Sequence, residues 1–123
     1  MDRWKNTTLS FEERTNELVS NLTLEEKVQL MRYDSPEISR LGIPAYNWWN
    51  ECLHGVARSG LATVFPQAIG MAAMWDDRMM FDIADAISNE ARAKYNDYSH
   101  RGKRGIYQGL TFWTPNINIF RDP

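Results

Sequence analysis

Two short aromatic runs with one long helical pattern between them constrain this chain more than any other feature. Tyr46 to Trp49 is strand-like and rich in aromatics, and Leu110-Thr111-Phe112-Trp113-Thr114 alternates as a half-buried strand does. Between them, Ala68, Ile69, Ala72 and Ala73 form a small-residue face suited to close packing on a sheet. Pro66 suits the first helical turn. After a break at Trp75-Asp76-Asp77, with Asp76 as a fresh N-cap, Met80, Ile83, Ala84, Ile87, Ala91 and Tyr95 recur at helical spacing. Strand, helical crossover and strand make a βαβ unit, whose strands run parallel. Parallel strands need helices on their faces and more strands at their edges, so two are too few. The expected class is α/β: part of a larger sheet or barrel, or a chain that must associate.

The segment before this unit reads as scaffold. Ser10-Phe11-Glu12-Glu13 and Thr23-Leu24-Glu25-Glu26 are capping boxes, each opening a helix. Phe11, Thr15, Leu18 and Leu22 share one face of the first, and Leu24, Val28 and Met31 the inner face of the second. Tyr33 to Arg40 is polar, contains Ser35-Pro36 and reads as a loop, as does the net basic stretch Asn96 to Gly105.

At 123 residues the chain is one domain or less, and 43% apolar residues suffice for a core. The formal net charge of −2, with both signs mixed, argues for neither nucleic acid nor an anionic membrane surface as a partner. Ser59 to Trp75 carries no charge, but Gly60, Pro66, Gln67 and Gly70 interrupt it, so it reads as core and not as a membrane span. A single cysteine forms no internal disulfide. No apolar core of signal-peptide length follows Met1-Asp2-Arg3-Trp4-Lys5. The compartment stays open, with a periplasmic or secreted parent protein allowed.

The chemistry concentrates in Leu41 to Gly55. There Tyr46, Trp48 and Trp49 interleave with Asn47, Asn50, Glu51, Cys52 and His54. Flat apolar rings among hydrogen-bonding groups suit a sugar, whose C–H face lies on an aromatic ring while its hydroxyls need fixed partners. Glu51 beside two tryptophans is expensive to desolvate unless something bonds it, and sugar hydroxyls or a neighbouring arginine would serve. Glu51 and His54 form a lone E-x-x-H pair, where carboxylate-bridged metal proteins carry two on helices, so no metal or other cofactor is expected. Cys52 has no evident orienting partner and reads as a small, unreactive side chain. His54 before Gly55 reads equally as a structural histidine donating to a carbonyl. Trp113 and Asn116, at the C-terminal end of the second strand, would share with Glu51 the sheet edge where parallel sheets bind ligands.

Taken together, Y-N-W-W-N-E-C-L-H-G-V-A-R, A-T-V-F-P-Q-A-I-G-M-A-A, E-A-R-A-K-Y and G-L-T-F-W-T-P-N-I-N-I-F-R-D-P resemble the N-terminal part of glycoside hydrolase family 3, nearest its bacterial β-xylosidase branch. The resemblance covers nearly the whole chain. It implies N-terminal helices over 1–40, then over 41–123 the first βαβ portion of an incomplete TIM-type (β/α)8 barrel. It also implies retaining, exo-acting hydrolysis of β-linked xylosides, with glucosides next, through an aspartate nucleophile and a glutamate acid/base about 5 Å apart. Neither catalytic motif is present, so no catalytic residue is assigned here. What the resemblance carries over is recognition. Glu51 matches the acidic residue that bonds sugar hydroxyls in the −1 subsite, and its identity as glutamate leans towards a pentose. Trp113 matches an aromatic wall of the same pocket, while Trp48, Trp49, His54 and Asn116 are given supporting roles. Arg121-Asp122-Pro123 opens a motif whose sugar-binding arginine lies further on. The remainder of the parent enzyme would be needed to complete the barrel, and this chain alone would be inactive. The alternatives are a non-catalytic carbohydrate-binding module and a functionless truncated gene product.

Overall fold

The computed structural model of the chain describes residues 2–114. The expectations placed on Asn116 and on Arg121-Asp122-Pro123 lie outside the described residues.

Both capping boxes form. In α1 (Phe11–Asn21) the Glu13 amide donates to Ser10 Oγ at 3.2 Å and the Ser10 amide donates back to the Glu13 carboxylate at 2.9 Å. In α2 (Leu24–Leu30) Thr23 and Glu26 repeat the exchange at 3.2 and 2.8 Å. Such reciprocal bonds satisfy amides that a helix start leaves orphaned. The apolar faces are a correction. Leu18 and Leu22 are half-buried, but Phe11 is exposed, and Leu24, Val28 and Met31, expected to face inward, are 72%, 58% and 87% exposed.

The polar stretch after α2 is not simply a loop. It contains β1 (Asp34–Ser35), which pairs antiparallel with β2 (Tyr46–Asn47), Asp34 opposite Asn47 and Ser35 opposite Tyr46. A 3-10 turn at Ser39–Leu41 lies between them and ends at Gly42, left-handed with φ 65°. Arg40 anchors this turn to the helices, since its guanidinium pairs with Glu26 and donates to the Asn21 carbonyl at 2.8 Å. The Arg40 hydrogen bond to Glu26, with the Thr23 amide's, holds the Glu26 carboxyl below the usual range.

β2 stops at Asn47 instead of running to Trp49, because Asn47 Oδ1 accepts the Trp49 amide at 2.9 Å and turns the backbone aside. The expected strand at Leu110–Thr114 reduces to a single parallel bridge, Asn50 to Phe112, with the Trp113 amide donating to the Asn50 carbonyl at 3.0 Å. Side chains take the other ladder positions. The Leu110 and Thr111 amides donate to the Tyr46 hydroxyl at 2.8 and 3.0 Å, and the Thr111 carbonyl accepts from the Asn50 amide at 3.1 Å. The parallel relation between the two aromatic runs is present; a regular strand pair is not.

The helical region departs from expectation at both ends. α3 (Ala68–Ala72) starts after Gln67, leaving Pro66 outside, and its small residues face solvent while only Met71 is buried. The break is as expected: Asp76 caps α4 (Asp77–His100), its Oδ1 accepting from the Met79 amide at 2.9 Å. α4 runs on through residues expected to be loop, because Tyr98 bonds Ser59 and Arg101 pairs with Asp97 at 2.9 Å. Ile83, Ile87 and Ala91 form its buried face, joined by Met71 and Val56 in the core. Of the rest of the expected stripe, Met80 and Tyr95 are half-buried and Ala84 is exposed. A second face of α4, at spacing four, holds the preceding loop. Glu90 accepts from Thr63 N–H and Oγ at 3.0 and 2.5 Å, Lys94 donates to the Leu61 carbonyl at 2.8 Å, and Tyr98 exchanges bonds with Ser59. The two Thr63 bonds hold the Glu90 carboxyl below the usual range.

Candidate functional site

The two aromatic runs meet at Asn50. This side chain is 1% exposed. Its amide nitrogen donates to the carbonyls of Asn47 and Thr111 at 3.0 and 3.1 Å, and its oxygen accepts the Gly109 amide at 2.8 Å. Gly109 must be glycine for this approach, since a Cβ there would lie 2.7 Å from Asn50 Nδ2 and 2.8 Å from both the Asn47 carbonyl and the Tyr46 hydroxyl. Tyr46 completes the junction through the amides described above and a 2.9 Å hydrogen bond with Thr111 Oγ1.

The junction brings Glu51, Trp49 and Trp113 together. The Trp49 indole N–H donates to Glu51 Oε1 at 2.9 Å. The rings of Trp49 and Trp113 lie 4.6 Å apart at 36°, and Tyr33 meets Trp49 edge-on at 5.8 Å. Trp113 is 56% exposed and Glu51 is half-buried. The result is an open aromatic face beside a carboxylate with one bond fixed and, among the described residues, most of its acceptor capacity free. An ionised carboxylate accepts only, at about four lone-pair sites, and is suited to hydroxyl donors.

The other residues singled out from the sequence sit elsewhere. Trp48 turns to the N-terminal half, its indole donating to Ser35 Oγ at 2.8 Å and its ring meeting Tyr46 at 4.8 Å. His54 Nδ1 lies 3.1 Å from the Phe65 carbonyl, whose residue donates its own amide to the His54 carbonyl at 2.8 Å, so the ring braces the 54–65 loop. Gly55 allows this closure, with φ 120° and a hypothetical Cβ only 2.2 Å from the Thr63 carbonyl oxygen. Among the described residues no three His, Cys, Asp or Glu side chains gather as a metal site requires, and no helix is long and apolar enough to cross a membrane. The sequence places Tyr46 and Asn50 in the run suited to a sugar but does not reveal the junction they form with Gly109, because that depends on partners some sixty positions away.

Cys52 lines an apolar groove of about 540 Å³ with Met71, Ile83, Ile87 and Phe112. Burial pushes its thiol pKa up, against a smaller opposing effect of Thr114. Only the thiolate is nucleophilic, so a raised pKa delays reaction to higher pH. Alkylation of the folded chain by iodoacetamide is therefore expected to be several-fold slower at pH 8 than in denaturant, and to rise at a pH above that of a free thiol. Equal rates in the two states would show that the thiol is not desolvated.

No protein-family model matches the chain. Sequence relatives are nonetheless clear. The chain is 48% identical over 122 residues to a xylan 1,4-β-xylosidase of Xylanibacter ruminicola, covering 98% of this chain and 14% of that protein. It is 46% identical over 125 residues to a β-xylosidase/α-L-arabinofuranosidase of Medicago sativa subsp. varia, covering 94% and 15% respectively. Among solved structures, a GH3 exo-β-xylosidase (XlnD) in complex with a xylobiose aziridine activity-based probe superposes with a TM-score of 0.80 at 33% identity, over 96% of this chain and 15% of that one. Fold and sequence together liken the chain to a segment of a glycoside hydrolase family 3 exo-β-xylosidase. The chain spans about one-seventh of the length of the β-xylosidases it matches.

Proposed function

We propose that this chain forms part of the wall of the terminal-sugar subsite in a retaining, exo-acting β-xylosidase. The observation that carries the reading is the Glu51 carboxylate, held by the Trp49 indole at 2.9 Å beside the Trp49–Trp113 pair. The xylosidase names of the relatives support the substrate class. In this reading Trp113 offers its exposed ring to the C–H face of a β-linked xylose, and Glu51 accepts hydrogen bonds from its hydroxyls. The Trp49 bond fixes the carboxylate before the sugar arrives, so little side-chain freedom is lost on binding. Residues 1–40 are the helical lead-in and 41–123 the first portion of the barrel domain. The nucleophile and the acid/base, which retaining hydrolysis places about 5 Å apart, are assigned to residues outside this chain.

The test is hydrolysis of an aryl β-D-xyloside by two proteins. The intact protein in which these residues occur is expected to turn it over; the 123-residue polypeptide alone is expected to give none. Turnover by the short polypeptide, abolished by Glu51→Gln, would overturn the assignment of catalysis elsewhere. An inactive but folded intact protein would overturn the xylosidase reading.

A further inference from the structure

A second cleft, of about 490 Å³, opens beside Glu51 and runs along the 53–64 loop, with Arg58 on its wall. Neither Trp49 nor Trp113 lines it, so Glu51 stands at the boundary between the aromatic face and this cleft.

Arg58 has a left-handed backbone, with φ 62°. An L side chain crowds its own backbone there, and non-glycine residues keep that conformation only where the surroundings over-determine it. Here both ends of the residue are tied to the site. On the main chain, the Ala57 amide donates to the Glu51 carbonyl and the Ser59 amide to the Ala57 carbonyl, each at 2.9 Å. Ser59 is in turn fastened to Tyr98 of α4. On the side chain, the guanidinium carbon lies 5.6 Å from the centre of the Tyr107 ring. Tyr107 is itself left-handed, with φ 62°, and its amide donates to the Trp49 carbonyl at 3.0 Å. Arg58 thus connects to Glu51 through the neighbouring Ala57 amide and to Trp49 through Tyr107. Among the described residues its guanidinium pairs with no carboxylate. A planar group with five donors, braced on an aromatic ring, borders a cleft whose other charged wall is an acceptor.

We propose that Arg58 is a specificity-determining residue that donates hydrogen bonds to the sugar unit next to the one held by Glu51. This rests on the exo-acting reading above. In such an enzyme the terminal unit occupies the Glu51 and tryptophan face. The next unit is then the leaving group, and the Arg58 cleft is the space that adjoins it.

The experiment uses the intact protein and two substrates: β-1,4-xylobiose, whose leaving group is a sugar, and nitrophenyl β-D-xyloside, whose leaving group has no hydroxyl to accept from Arg58. Glycine takes φ 62° without strain, so Arg58→Gly removes the guanidinium while keeping the backbone. Asparagine also tolerates that backbone, and Arg58→Asn takes its place if the glycine variant does not fold. The ratio of kcat/KM for xylobiose to that for the nitrophenyl xyloside is expected to fall about tenfold, chiefly through KM for xylobiose. A ratio preserved within twofold, whether both rates fall together or neither moves, would overturn the proposal. Loss of both activities in Glu51→Gln with that ratio unchanged in Arg58→Gly would overturn the Arg58 assignment alone. A folded wild-type protein inactive on both substrates would overturn the xylosidase reading beneath it.

Discussion

Glu51→Gln in the intact protein is expected to lower kcat/KM for β-D-xylosides by about 10²–10³-fold and to leave the melting temperature nearly unchanged. The carboxylate has one oxygen bonded to the Trp49 indole at 2.9 Å, and it is only half-buried. Glutamine keeps a carbonyl oxygen for that indole, so the packing of Trp49 on Trp113 survives. It loses the charge and half the acceptor capacity. A hydrogen bond to a charged group contributes about 1.5–3 kcal/mol, so weakening two hydroxyl contacts costs about 3–4 kcal/mol. At about 1.36 kcal/mol per tenfold, that is the stated range. Rates within twofold of wild type would show that Glu51 serves the indole alone. A large fall in melting temperature would make it a structural group.

The largest expected loss of stability follows from Asn50→Leu, about 3–5 kcal/mol in chemical denaturation of the intact protein. Leucine keeps the branched skeleton and is larger than asparagine, so a cavity is not the cause. It strands the Gly109 amide and removes the donor shared by the Asn47 and Thr111 carbonyls, all at a position that is 1% exposed. Each buried polar group left unsatisfied costs about 1–3 kcal/mol. Asn50→Asp is expected to be no better, because it sets a second oxygen against those two carbonyls. A loss below about 1 kcal/mol for Asn50→Leu would mean that water reaches the junction and replaces the amide.

What could be read from the sequence was set by how far each signal reaches along the chain. The capping boxes at Ser10 and Thr23 and the cap at Asp76 involve partners three residues away, and all three form as expected. β1 was missed because its partner lies past an intervening turn, and two residues carry no periodicity. The strand at Leu110–Thr114 was over-read. Its alternation is real, but the Tyr46 hydroxyl and the Asn50 amide occupy its hydrogen-bonding positions. At the site, the nearness of an aromatic run to a carboxylate was legible, and Trp49 and Trp113 do meet beside Glu51. Which of the adjacent tryptophans meets Glu51 was not legible. That choice is made by Asn47, whose side chain turns the backbone so that Trp49 faces Glu51 and Trp48 faces Ser35. The part given to Arg58 depends on two left-handed residues, and side-chain type alone does not announce that geometry.

The Asn50 junction also has a consequence for the order of folding. Its bonds join residues 59 to 64 positions apart, so no local fluctuation can assemble it. Closing so long a loop costs conformational entropy before any contact is gained. α4, with 24 residues between the two runs, shortens the search by acting as a rod of about 36 Å at about 1.5 Å per residue. The Trp49–Trp113 contact is therefore expected to form late on the folding path, after α4. A ribosome must release Trp113 before the Trp49 ring beside Glu51 gains its stacking partner.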